Sequence, residues 1–162
     1  MKKLCFLLCC VLFLQFLGAC SGSNDVSQPI DFYYCNVETG YNNPSAVICP
    51  ESREAAFYNG SVERMLQDYL AGPRAEDLYS PVPADTELVS CLVEEGDVYI
   101  LFSQEFAELS GIKLSVCCSC ILMTLHEFAD IHTLQISAQD AQLDEKKEIV
   151  LNIDDIILMD TV

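Results

Sequence analysis

The stretch from Tyr69 to Phe106 constrains the fold most, because it places helix breakers and apolar runs in a fixed order. Gly72-Pro73 ends a helix, since glycine adopts the left-handed conformation at a helix end and proline cannot continue the hydrogen-bond ladder. Two apolar runs follow, Leu88 to Val93 and Val98 to Phe102. The polar residues 94–97 between them are a loop of hairpin length. The stretch therefore predicts a helix, a linker and a β-hairpin.

Two helices are predicted around this hairpin. Ser61 suits an N-cap, and five apolar residues follow at helical spacing up to Leu70. After the hairpin, Ser103 is typical of a helix start, because its hydroxyl can bind free backbone N–H groups. Apolar residues recur at helical spacing from Gly111 to Phe128 and widen into a broad face. We expect this second helix to be the most buried in the fold.

The other apolar segments are typical of β-strands. Segments 30–37, 45–49 and 132–137 are rich in β-formers, and two more runs, 148–153 and 156–159, flank Asp154-Asp155. The order is strand, strand, helix, hairpin, helix, strand and one or two terminal strands. This order predicts an α+β fold, with two α-helices packed on one face of a mixed β-sheet.

The N-terminus is typical of an export signal. Lys2-Lys3 precede an apolar run from Leu4 to Leu17, which is shorter than the roughly 20 residues of a membrane-spanning helix. Cys20 directly after Leu17-Gly18-Ala19 resembles the bacterial lipobox, whose cysteine carries the lipid. We expect a signal peptide over 1–19, acylation (palmitate) of Cys20, a flexible tether over 20–29 and one domain over 30–162. The resemblance implies a cell-membrane lipoprotein on the extracytoplasmic face.

The charge excludes one class of partner and leaves another open. The formal net charge is −17, and removal of the two lysines with the signal would make the chain more acidic. Such a surface repels nucleic acid, so no nucleic-acid partner is expected. A cationic ligand is an alternative, although no acidic cluster has calcium-loop spacing.

Six of the ten cysteines lie beyond Cys20: Cys35, Cys49, Cys91, Cys117, Cys118 and Cys120. An exported chain with six cysteines can form disulfides. Cysteine is also abundant in the signal segment, where it can form no structural bridge, so we favour free buried thiols that act as small apolar side chains. Cys117 and Cys120 form a C-x-x-C inside an apolar helix, where neither the lowered pKa of a redox cysteine nor a second zinc-ligand pair is available.

The remaining polar residues predict no catalytic, cofactor-binding or metal site. His126 and His132 are six residues apart, so on one helix they would point about 120° apart. We therefore interpret His126 as a helix C-terminal residue and His132 as the start of a strand, not as metal ligands. Glu94, Glu95 and Asp97 are interpreted as a solvated turn, because a glycosidase needs two carboxylates that face each other.

Several motifs together resemble the GerMN domain, the sporulation and spore-germination domain of bacterial envelope proteins. They are Leu70-Ala71-Gly72-Pro73, Val82 to Leu88, Gly96 to Ile100, Phe102 to Phe106, Thr124-Leu125 with Phe128, and the strand with Leu134 and Ile136. The resemblance covers Ser61 to Asp140. Two positions depart from the family pattern: Leu101 replaces an acidic residue, and Ala138-Gln139-Asp140 replace a closing glycine.

The resemblance implies a fold similar to the ring-building motifs of secretion and sporulation complexes, without enzymatic activity and without catalytic residues to carry over. We therefore expect a non-enzymatic, lipid-anchored module that binds other envelope proteins in sporulation or germination. The alternative is a small-ligand or cation-binding surface lipoprotein, and an envelope hydrolase or thiol oxidoreductase ranks last.

Overall fold

The computed structural model describes residues 29–36 and 47–156. Two α-helices and seven β-strands lie in these ranges. In chain order they are β1 (Pro29–Asn36), β2 (Ile48–Glu54), α1 (Val62–Leu70), β3 (Leu78–Tyr79), β4 (Leu88–Glu94), β5 (Asp97–Phe102), α2 (Gly111–Ala129), β6 (Thr133–Ala138) and β7 (Glu148–Asn152). Short 3₁₀ turns follow β2, β5 and β7.

The α+β class is confirmed, and the strands divide into two sheets. The first sheet has the order β2-β1-β3 and is antiparallel. The second has the order β4-β5-β6-β7 and is mixed, because β5 and β6 run parallel while its other pairs are antiparallel. Helix α2 is the connection that makes the parallel pair possible, since parallel neighbours need a long crossover.

Helix α2 is the centre of the core, as its sequence predicts. It packs on β1 of the first sheet and on β6 and β7 of the second. Nine of its side chains are buried. Although it is long and apolar enough to cross a membrane, half of its apolar window is buried inside the domain, which is typical of a core helix. Thr124, its buried polar residue, accepts a hydrogen bond from the Tyr33 N–H of β1 at 2.9 Å.

Helix α1 also begins and ends where the sequence predicts. The Ser61 hydroxyl accepts a hydrogen bond from the Arg64 N–H at 3.3 Å. Met65, Leu66 and Tyr69 of the apolar stripe are buried. The chain then turns at Gly72, whose φ of +88° favours glycine.

The hairpin is confirmed, and its connection is a tight two-residue turn. Glu95 and Gly96 have φ values of 49° and 90° between β4 and β5, which is the pattern of a type I′ turn. The helix start at Ser103 is a 3₁₀ turn, Gln104–Glu108, and its serine makes no side-chain cap. Instead the Ser103 hydroxyl accepts a hydrogen bond from the Glu87 N–H at 2.9 Å, which ties this turn to the start of the hairpin.

The second strand lies further along the chain than predicted. The sequence favours 45–49, with Pro50 leading out, whereas β2 is Ile48–Glu54 and includes Pro50. Among the described strands β2 is an edge strand and pairs with β1, so a residue without an N–H is tolerated there. The predicted break at Asp154-Asp155 is a 3₁₀ turn, Ile153–Asp155. The predicted signal, Cys20, the tether up to residue 28 and the 157–159 part of the last run lie outside the described residues.

Candidate functional site

The C-x-x-C cysteines lie in the core. Cys117, Cys118 and Cys120 are all buried on α2, and they are present as free thiols. Burial raises the pKa of Cys117 well above its usual value and that of Cys118 to about 12. Cys120 forms a side-chain hydrogen bond with Cys35 of β1. These thiols are therefore protonated at neutral pH and unsuited to attack a disulfide or to bind a metal as thiolates.

Arg53 of β2 is the buried charged residue of the part of the domain that the structure describes, and sequence analysis missed it. Its side chain is 1% exposed and forms ion pairs of 2.7 Å with both Glu51 and Asp68. The guanidinium lies 4.3 Å from the centroid of the Phe32 ring and donates a hydrogen bond to the Tyr34 hydroxyl at 3.1 Å. The paired charges and stacked ring satisfy a cation that would otherwise be costly to bury.

The same network explains why the Gly72-Pro73 motif has a fixed conformation. Arg53 donates to the Gly72 carbonyl at 2.9 Å. The Glu51 carboxylate accepts from the backbone N–H groups of Arg74 and Ala75 at 2.7 and 2.9 Å. The turn after α1 is thus held by two side chains of β2. This centre is structural, because its polar atoms are used within the fold.

Acidic side chains lie at two places around the hairpin of β4 and β5. Glu94 and Glu95 are exposed on the hairpin, as predicted for a solvated turn. Another group of acidic residues surrounds an open depression of about 530 Å³ near the end of β5, lined by Asp85, Glu87, Ser103, Gln104, Glu105, Gln139 and Asp140. Its Ser103 hydroxyl accepts a hydrogen bond from the Glu87 N–H and also bonds the Glu105 side chain.

His126 and His132 lie beside each other in the structure. The sequence analysis placed each in the correct element but did not bring them together. His126 is in the last turn of α2, and His132 directly precedes β6. Their ring centroids are 5.4 Å apart with an interplanar angle of 81°. A carboxylate oxygen of Asp130 lies 3.9 Å from His126 Nδ1 and 3.9 Å from His132 Nε2. The left-handed turn at Asp130 brings the rings together. The sequence analysis placed the two residues about 120° apart on one helix and did not include this turn.

The outer face of the four-stranded sheet carries a row of side chains whose two apolar ends are exposed. Register places Leu92, Tyr99, Gln135 and Val150 side by side across the four strands. Leu92 is 53% exposed and Val150 is 58% exposed. Because the opposite face of β5 and β6 is buried in the core, this row lies on the outer face, which no described element covers. Exposed apolar groups on a rigid sheet are typical of a protein-binding surface.

Comparison with known families assigns this fold. The Germane family, described as "Sporulation and spore germination", matches residues 31–144, which is more than half of the chain. The chain belongs to the Germane family. The match begins at β1, well before Ser61 where the motif resemblance begins, so the first sheet is part of the family domain. A search of curated proteins finds no significant match.

Solved structures show the same fold as this Germane chain. The tandem GerMN domains of the sporulation protein GerM from Bacillus subtilis align with a TM-score of 0.53 and 18% identity, over 83% of this chain and 47% of that one. The first GerMN domain of GerM aligns with a TM-score of 0.54 and 14% identity, over 75% of this chain and 92% of that one. A Clostridium perfringens protein described as a lipoprotein aligns with a TM-score of 0.51 and 16% identity, over 85% of this chain and 95% of that one. The chain thus spans about half the length of the tandem structure.

Proposed function

We propose that this Germane chain is a non-enzymatic, lipid-anchored module that binds another envelope protein during sporulation or spore germination. The family match supports the process, and the exposed Leu92 and Val150 on the sheet support protein binding. The lipobox-like sequence before Cys20 supports the anchor on the extracytoplasmic face of the membrane. The structural likeness to a protein described as a lipoprotein is consistent with this location.

The surface row is the observation that carries the proposal. Leu92 and Val150 are the exposed apolar ends of the row, and Tyr99 lies between them. Acidic residues flank the row: Glu94 pairs with Asp97 on one side, and Glu148 lies on the other. A partner with an apolar patch bordered by lysine or arginine would complement this arrangement.

The polar groups support binding rather than catalysis. Within the described residues, the polar contacts of the two histidines go to Asp130 and the Ile131 carbonyl, not to a serine or cysteine. The buried thiols of α2 are held in their protonated form. A hydrolase or thiol oxidoreductase needs an accessible nucleophile beside a base.

Photo-crosslinking in the native envelope tests the surface. A photoreactive amino acid replaces Leu92, and the matched control carries it at Ile112, which is 56% exposed at the start of α2. We expect Leu92 to give discrete crosslinked bands with envelope proteins and Ile112 to give none. Equal labelling at the two positions, or none at Leu92 in sporulating or germinating cells, would contradict the proposal.

A cation-binding role is the second candidate, and the histidine pair favours it. It concerns a different part of the surface from the sheet face. The two roles are compatible, and their tests are independent.

A further inference from the structure

We infer that His126, Asp130 and His132 form a binding site for a divalent transition metal of the zinc type at the C-terminal end of α2. One ligand-type atom from each of the three side chains lies within 4.8 Å of the other two. Both histidines of the chain are in this cluster. The inference does not depend on the proposed protein-binding function.

The fold builds the cluster through one left-handed residue. Helix α2 ends at Ala129, and Asp130 has a φ of 53° as its C-cap. The Asp130 N–H donates to the His126 carbonyl at 2.9 Å, which closes the helix end. The chain then turns back, and the His132 N–H donates to the Gly96 carbonyl at 2.8 Å. Two backbone hydrogen bonds therefore fix the positions from which the two imidazoles meet.

The distances suit a metal after rotation of the side chains. A tetrahedral metal with bonds of about 2.0 to 2.1 Å holds its ligand atoms about 3.4 Å apart. His132 Nε2 lies 3.9 Å from the Asp130 carboxylate, and this separation would close by about half an ångström on binding. The His126 atom 3.9 Å from the same carboxylate is Nδ1, so that ring must turn to present its Nε2 to the metal. The side chains of Asp130 and His132 are 84% and 54% exposed. Rotation about their side-chain bonds is therefore free of core packing.

The neighbours of the two rings indicate which nitrogen of each histidine is free to bind a metal. His126 Nδ1 lies 3.0 Å from the Ile131 carbonyl, which can only accept, so Nδ1 carries the proton and Nε2 holds the lone pair. A ligating histidine usually donates its second N–H to a carbonyl in this way. In His132, Nε2 faces Asp130 and Nδ1 faces Gly96, where an added Cβ would lie 3.7 Å away.

The donor set selects the class of metal. Two imidazoles and one carboxylate suit Zn²⁺, Co²⁺, Ni²⁺ and Cu²⁺, whereas Ca²⁺ and Mg²⁺ prefer oxygen ligands throughout. Three protein ligands leave at least one position for water, so the site is open rather than closed. The net charge of −17 raises the local concentration of cations at the surface.

The experiment is a Zn²⁺ titration of the full chain in detergent, by calorimetry under reducing conditions. Asp130→Asn removes the carboxylate and keeps a residue that tolerates a left-handed turn. His132→Gln removes one imidazole. Glu108→Gln, an exposed residue that follows the far end of β5, is the control for the loss of one negative charge. We expect one equivalent of Zn²⁺ to bind, about 10-fold or more weaker binding in the first two variants, and unchanged binding in the control.

A second readout identifies the ligands. Co²⁺ should shift and broaden the imidazole NMR signals of both histidines at substoichiometric metal, without a thiolate-to-cobalt absorption band. The inference is overturned if the wild-type chain binds no Zn²⁺. It is also overturned if all variants bind equally, or if the thiolate band appears, because the ion would then lie on other carboxylates or on cysteines.

Discussion

Arg53 shows how one side chain can organise two elements and a turn. It connects β2 to Asp68 of α1 and to the Gly72 carbonyl beyond that helix. Removal of one partner of a buried ion pair leaves the other charges uncompensated, and this costs more than the intact pair contributes. Arg53 therefore stabilises the fold only together with its partners.

Arg53→Ala is expected to lower the free energy of unfolding by about 3 to 5 kcal/mol. Arg74→Ala is the matched control, because Arg74 also pairs with Asp68, at 3.1 Å, but is 60% exposed. Its loss should cost about 0 to 1 kcal/mol. Urea unfolding of both variants measures the difference, and similar losses would contradict the structural role given to Arg53.

The acids of this network predict how stability depends on pH. Burial alone would raise the pKa of Glu51, but the Ala75 N–H and Arg53 outweigh it, so the pKa lies below its ordinary 4.5. Burial is likewise outweighed at Asp68 by Tyr58 and Arg53, which lower its pKa below 3.8. A carboxyl whose pKa is lower in the folded state stabilises the fold at pH values above its unfolded-state pKa. This contribution is lost as the pH falls through the folded-state pKa.

We therefore expect the free energy of unfolding to decrease as the pH falls below 4.5, the ordinary pKa of Glu51. Glu51→Gln removes one of the two carboxylates and should make this decrease shallower. Urea unfolding at a series of pH values between neutral and acidic measures both slopes. Equal slopes in the two proteins would show that other acids control the acid sensitivity.

At the scale of elements, the ends of α2 were predicted within one residue, because its long run of apolar residues at helical spacing is typical of a core helix. It is apolar around most of its circumference and is covered by β1 on one side and by β6 and β7 on another. Its cysteines act as small apolar side chains in this contact. The short β3 was missed, because two residues carry no periodicity.

Leu122→Ala in α2 is expected to lower the free energy of unfolding by about 2 to 5 kcal/mol, because Leu122 is fully buried. The control is Ile112→Ala on the same helix, which removes an apolar side chain that is 56% exposed. We expect it to change stability by about 0.5 kcal/mol or less. Chemical unfolding of both variants checks this, and a small effect of Leu122→Ala would contradict the central position of the helix.

At the scale of the whole molecule, the predicted tether, residues 20–29, would separate the described domain from the proposed lipid anchor, although Pro29 is already the first residue of β1. A single diacylated cysteine would keep the acidic domain at the membrane surface. The Germane domain and its anchor then have separate physical roles: one supplies surfaces, and the other supplies location.

Cys20→Ser is expected to move the chain from the membrane fraction to the soluble fraction or to leave the precursor unprocessed, because the acylated thiol is lost. Cys5→Ser, in the predicted signal peptide, is the matched control and should stay in the membrane fraction. Fractionation with labelling by a palmitate analogue measures both. Retention of label in the Cys20→Ser variant would contradict the anchor.

The sequence by itself determined the features that depend on neighbouring residues. Both α-helices, the hairpin and the α+β order follow from apolar period and from breakers such as Gly72-Pro73 and Gly96, whose effects act within a few residues. Tertiary structure decided the division into two sheets, the burial of Arg53 and the meeting of His126 with His132. These depend on strand register and on a left-handed turn at Asp130, which bring distant side chains together regardless of their spacing in the chain.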